Sequence, residues 1–140
     1  SDLKLTLVLA LLVLGIGIGV LIRSRKANRD SHERDGLTRF RQAYVGRGFS
    51  DPLLTVTYHF LAERDAAANV HYEVLPTDNL QRVYGLVDLD LEDAVLVIAD
   101  KAGARLPNAH DLDAVKGQVH TVDELLVFLS PYFGIAPANS

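Results

Sequence analysis

A long apolar run near the amino terminus constrains this chain more than any other feature. The eighteen residues from Leu5 to Ile22 carry no charge, and Thr6 is their only hydroxyl. As an α-helix the run would be roughly 27 Å long, close to the ~30 Å hydrocarbon core of a bilayer. A buried core helix would show a polar stripe, and a cleaved signal peptide would be followed by a small-residue cleavage site. The run therefore predicts a single transmembrane helix.

A basic segment follows this run directly. Arg23, Arg25, Lys26 and Arg29 lie within seven residues of its end, whereas only Lys4 and the terminal amine precede it. Lysine and arginine are enriched in cytoplasmic flanks, where they interact with anionic lipid headgroups. We therefore expect a single-pass protein of a bacterial-type inner membrane, with the amino terminus outside and the remaining chain in the cytoplasm. These four residues are the predicted headgroup contacts.

Two glycines within the run form a G-x-x-x-G pattern. Gly15 and Gly19 would lie on one face of the helix and would allow a second membrane helix to approach closely. The pattern predicts helix packing at these positions, with a homodimer through the span as one possibility.

Composition and charge exclude several function classes. The chain has no cysteine, which excludes disulfides, thiolate catalysis and zinc–thiolate sites. Residues 23–47 have a net charge of +5 and residues 51–140 one of −9. An acidic domain would repel nucleic acid and suits a basic patch on a protein partner. The five histidines have no metal-ligand spacing, and no nucleophile, base and orienting group can be assembled, so we expect no metal, no cofactor and no enzymatic activity.

The same patterns predict the domain organisation. We expect an anchor over residues 1–22, a basic juxtamembrane linker over 23–50, an acidic helical domain over 51–134 and a tail over 135–140. Within the linker, residues 37–49 combine apolar side chains at near-helical spacing with three arginines. They fit either a short helix packed on the domain or an amphipathic helix lying on the lipid headgroups.

Hydrophobic periodicity predicts an all-α fold, with three main helices and one or two short ones in an antiparallel bundle. The first main helix is expected to begin at Asp51-Pro52 and to extend to about Ala66. A short helical turn is expected over Leu80–Leu86, and another is possible over Asp111–Val115.

The other two main helices have the clearest signals. One helical face carries Leu91, Ala94, Val95 and Ile98. Asp90 and Asp93 form a cap-like pair at the start of this helix, and Gly103 is placed to end it. The last helix opens with the capping box Thr121-Val122-Asp123-Glu124 and is expected to stop at Pro131.

The chain contains the stretch Tyr84-Gly85-Leu86-Val87-Asp88-Leu89-Asp90, an acidic helix directly after it and, later, Thr121-Val122. Together these features are similar to the motifs of acyl carrier proteins. The resemblance covers residues 51–130. It implies a carrier-like bundle whose acidic second helix docks on basic partners through Asp88, Asp90, Glu92 and Asp93. Carriers attach phosphopantetheine to a serine at the position of Asp88, and no serine occurs between Asp51 and Phe128. The resemblance therefore implies a carrier-like domain without this prosthetic group.

These observations predict a membrane-anchored, non-catalytic adaptor that recruits or regulates a partner protein, with an accessory subunit of a membrane complex as one form of this function. Two alternatives stay open at this point. The chain could be a structural single-pass subunit that acts through its membrane helix, or a genuine acyl carrier protein with an unconventional attachment site.

Overall fold

A computed structural model describes residues 2–64 and 73–133 of the chain; within its first helix, the side chains of residues 11–29 are not described. The regular elements of this described part are all helical, which confirms the predicted all-α class. In chain order they are α1 (Asp2–Ala43), α2 (Asp51–Glu63), α3 (Leu80–Tyr84), α4 (Leu89–Lys101), α5 (Ala109–Gln118), α6 (Val122–Leu129) and a 3₁₀ turn (Ser130–Tyr132).

The chain divides into two compact units, Ser1–Asp35 and Gly36–Ser140. Helix α1 supplies the first unit and contributes its last turns to the second. The boundaries predicted from composition, after residues 22, 50 and 134, stay a prediction.

The predicted membrane location is wrong. Among the residues whose side chains the structure describes (2–10, 30–64 and 73–133), no helix is long and apolar enough to cross a bilayer. This finding overturns the single-pass inner-membrane topology, with its outer amino terminus and cytoplasmic domain.

Several predicted positions fall on side chains that the structure does not describe. They are the helix-packing glycines and the headgroup-binding residues: Gly15, Gly19, Arg23, Arg25, Lys26 and Arg29. The homodimer expected through the apolar run depends on the same residues and lies outside the described part.

The second unit is a helical bundle in which α4 contacts α2, α5 and α6, while α6 also contacts α2 and α5. Apolar side chains from each of these helices meet in one core, and Tyr58, Ile98 and Leu125 are fully buried there. Such a core suits a unit of this length, since about a hundred residues can bury one hydrophobic centre.

Residues 37–49 pack onto this core rather than offering an amphipathic face for lipid. Phe40 and Tyr44 are almost completely buried, and the Phe40 ring lies 5.9 Å from that of Tyr58. Arg41 pairs with Asp51 at 2.9 Å, and Arg47 pairs with Asp123. Packing on the domain is therefore the correct alternative, because these two arginines bind carboxylates of the same unit. The predicted separate short helix is wrong, since these residues are the last turns of α1 and the turn after it.

The helix ends show which local signals were sufficient. Gly103 ends α4 as predicted, with φ +76°, and the Ala104 amide donates to the Ala99 carbonyl at 2.9 Å. The predicted capping box of α6 is confirmed. Helix α6 ends at Leu129, two residues before Pro131, and passes into the 3₁₀ turn.

Three other predictions at helix ends need correction. Ser50 rather than Asp51 caps α2, since its Oγ accepts from the Leu53 amide at 3.3 Å. Helix α4 begins after Asp88, so Asp90 and Asp93 lie inside the helix and do not cap it. Helix α5 runs ten residues instead of one turn, because the Asn108 side chain caps it by accepting from the Asp111 amide at 2.8 Å.

Candidate partner-binding site

The candidate site lies at the start of α4, where the chain leaves α3 through a tight turn. Gly85 ends α3 with φ +67°, a left-handed conformation that glycine adopts without steric cost. The Leu86 amide then donates to the Leu80 carbonyl at 3.1 Å, and the Leu86 side chain is buried. This anchor places the next residues, Val87 to Asp90, on the surface.

Asp88 occupies the N-cap of α4 in an unusual conformation. Its φ of 48° and ψ of −109° lie outside the regions that residues with side chains normally adopt. The carboxylate makes no capping hydrogen bond to the first turn of α4. The Asp88 carbonyl accepts from the Leu91 amide at 3.1 Å, but its side chain is exposed and makes no hydrogen bond or ion pair with any residue in the described part. Its charge is therefore directed to solvent.

The other three predicted residues differ in their surroundings. Asp90 lies 3.7 Å from Arg64, and Glu92 lies 3.9 Å from Lys116. Glu92 is the most buried of the four, with 19% of its side chain exposed. Asp93 is exposed and, like Asp88, has no ion pair within the described residues. The structure thus leaves Asp88 and Asp93 most available for an external partner.

Two exposed aliphatic side chains flank these carboxylates, and the prediction from sequence did not include them. Val87 is 41% exposed and Leu89 is 68% exposed. The sequence already indicated that the Leu89 side chain is exposed, because Leu89 does not lie on the apolar face that Leu91, Val95 and Ile98 form. The site is therefore mixed, with apolar side chains among the carboxylates.

A pocket of about 90 Å³ opens beside Asp88. It lies between the start of α3, the segment before α4 and the end of α5. Four buried aliphatic side chains line it: Leu80, Leu86, Leu91 and Val119. The lining also includes residues that are polar or exposed, namely Gln81, Val87, Lys116 and His120.

The loop before α3 is held firmly against the start of α6, which supports one side of this pocket. The Leu80 amide donates to the His120 carbonyl at 2.9 Å, and the Val122 amide to the Asp78 carbonyl at 3.1 Å. The Tyr84 hydroxyl donates to the Asp78 carboxylate at 2.7 Å. Burial and this carboxylate both raise the pKa of Tyr84, so its hydroxyl stays protonated and keeps donating.

Comparison with known proteins adds no family assignment. No protein-family model matches the chain, and neither the curated proteins nor the solved structures include a match. Functional arguments for this chain must therefore start from the geometry of the site itself.

Proposed function

We propose that the unit Gly36–Ser140 is a non-catalytic binding module that recruits or regulates a protein partner carrying a basic patch. The observation that carries the proposal is the exposed start of α4. There Asp88 and Asp93 have no ionic partner in the described part of the chain, and two apolar side chains lie beside them. Uncompensated exposed charge with neighbouring apolar surface is typical of an interaction site.

The charge of the whole unit supports the same proposal. Residues 36–140 contain fourteen acidic and eight basic side chains, a net charge of −6. Such a field attracts a basic partner and orients it before contact, which raises the rate of association.

The resemblance to acyl carrier proteins supports the proposal from another direction. In residues 51–130 a short α3 precedes the acidic α4, and two shorter helices follow it. Carriers use the corresponding acidic helix to dock on basic partner surfaces. Asp88 stands where carriers have the serine that receives phosphopantetheine, so we propose docking without acyl transfer.

Charge reversal at the two unpaired carboxylates tests this function. The pair Asp88→Asn with Asp93→Lys raises the charge by three, and asparagine keeps the size and shape of aspartate at the strained position 88. Asp90 and Glu92 are left intact because they pair with Arg64 and Lys116. We expect affinity capture with the full-length variant to lose those proteins that the original chain retains.

The matched control combines Asp35→Lys with Glu73→Gln, which changes the charge by the same amount at exposed positions outside α4. The control should retain the captured proteins. Equal capture by both double variants would contradict the proposal. Incubation with coenzyme A and a phosphopantetheinyl transferase should leave the intact mass unchanged; a gain of one phosphopantetheine group would indicate a genuine carrier instead.

A further inference from the structure

We infer that the pocket beside Asp88 receives one apolar side chain of the basic partner, and that this anchor provides the affinity of the complex. The inference rests on the proposed function, because it specifies the partner segment that binds the same site. The segment would present a large apolar residue with lysine or arginine close by.

The size of the pocket determines the class of occupant. The pocket has a volume of about 90 Å³. Small-molecule and cofactor sites commonly have volumes of roughly 300–1,000 Å³, several times larger. A cavity of this size suits a single side chain of a docked protein segment.

The lining of the pocket determines the chemistry of that side chain. Leu80, Leu86 and Leu91 are buried core residues that line the pocket. Val87 also lines it and is 41% exposed, whereas the exposed Leu89 follows Asp88 in the chain and lies outside the lining. An aliphatic or aromatic anchor would pack against the leucines and remove the exposed apolar surface of Val87 from water.

The charges around the pocket determine what flanks the anchor. Lys116 lines the pocket, but Glu92 lies 3.9 Å from its ammonium group. His120 also lines it, and the Glu124 carboxylate lies 3.6 Å from its Nδ1. Asp88 and Asp93 therefore supply the uncompensated charge at the site, and this charge favours basic residues on the partner.

An anchor is needed because exposed ion pairs contribute little to affinity. Asp88 and Asp93 are both exposed, and pairs formed in water are screened by salt. Most binding energy in protein complexes comes from a few desolvated apolar or aromatic contacts near the centre. The carboxylates would then attract and orient the partner, while the pocket would hold it.

Selection of short random peptides displayed on phage, with the full chain as bait, tests the inference. We expect enriched peptides to combine a net positive charge with one leucine, isoleucine, methionine or phenylalanine. Replacement of that residue by alanine in a synthetic copy of the best peptide should weaken binding about tenfold, as for a central interface contact.

Two variants of the chain test the pocket itself. Val87→Ser removes exposed apolar surface from the lining, and Gln81→Trp places a large side chain on the exposed rim of the pocket. Each should weaken binding of the selected peptide about tenfold. Val45→Ser and Gln42→Trp make the same chemical changes at exposed positions outside the pocket and should leave binding unchanged. Thermal unfolding of each variant shows whether the fold is retained.

The outcomes separate this inference from the proposed function. The inference would be overturned, and the acidic binding module left in place, if the selected peptides were basic without an apolar residue and bound Val87→Ser and Gln81→Trp equally well. The inference and the proposed function would both be overturned if the enriched peptides had no positive charge or still bound the variant with Asp88→Asn and Asp93→Lys. The absence of any enrichment would also overturn both.

Discussion

Asp88 combines two properties at a single residue, an exposed carboxylate and a strained backbone. Only glycines share its positive φ among the residues that the structure describes. A residue with a side chain in such a conformation costs about 1–3 kcal/mol, and this strain is concentrated at functional sites. The strain is an observation independent of the charge, and both properties belong to the segment proposed to bind the partner.

Replacement of Asp88 by glycine separates the two properties. Asp88→Gly should raise the free energy of unfolding by about 1 kcal/mol, because glycine adopts this conformation without strain. The same change should weaken binding of the peptide selected above, because the Asp88 carboxylate is lost. Urea unfolding and peptide titration measure the two effects.

The control for this prediction is Asp93→Gly, which removes the same charge just over one turn into the helix. It should lower the free energy of unfolding by about 1 kcal/mol, since glycine is unfavourable within a helix. If both glycine variants were destabilised equally, the strain at position 88 would not contribute to stability.

At the scale of the element, α6 depends on the cap that precedes it. The Thr121 hydroxyl accepts from the Glu124 amide at 3.2 Å, and the Glu124 carboxylate accepts from the Thr121 amide at 3.1 Å. The helix has only eight residues, of which Val122, Leu125, Leu126 and Leu129 are fully buried. So short a helix is not stable alone, and its cap determines where the buried face begins.

Thr121→Ala should therefore lower the free energy of unfolding by about 1 kcal/mol, because the Glu124 amide loses its acceptor. Thr121→Ser keeps the hydroxyl and should stay close to the original stability. Urea unfolding of both variants measures the difference, and an equal loss in both would show that the hydroxyl is not the stabilising group.

At the scale of the whole molecule, three tyrosine hydroxyls lie next to carboxylates on other segments of the second unit. Tyr84 donates to Asp78 before α3, and Tyr132 donates to Asp111 of α5 at 2.6 Å. The Tyr44 hydroxyl lies near Asp123 of α6, and burial followed by this charge raises its pKa. Burial is also the main cause at Tyr132, where the pKa rises to about 12. The Tyr84 and Tyr132 hydroxyls can donate these hydrogen bonds only while they are protonated.

Stability should consequently fall in alkali. The unfolded chain loses its tyrosine protons near pH 10, below the raised pKa values of the folded unit. The stabilisation is complete below about pH 10 and is lost as the pH rises toward the folded values. Each such tyrosine contributes at most about 1.4 kcal/mol per pH unit.

Urea unfolding at about pH 8 and about pH 11 measures this slope. Tyr84→Phe keeps the ring, removes one proton and should make the slope shallower. An unchanged slope in this variant would contradict the role of Tyr84.

The sequence alone determined the features that depend on near neighbours in the chain. The apolar face of Leu91, Val95 and Ile98, the stop at Gly103 and the capping box at Thr121 involve residues at most a few positions apart. Local hydrogen bonds and helical periodicity are sufficient to specify such features. They also predicted the all-α class correctly.

Tertiary structure decided what depends on residues far apart in the chain. Phe40 and Tyr44 are core residues because α2 lies against them, and Glu92 is partly withdrawn from the acidic site because α5 brings Lys116 to it. The pocket beside Asp88 exists only where α3, α4 and α5 meet. Hydropathy of a continuous run likewise predicted a membrane span that the described helices do not provide. Pairing and burial are set by the packing of distant segments, which a local pattern does not contain.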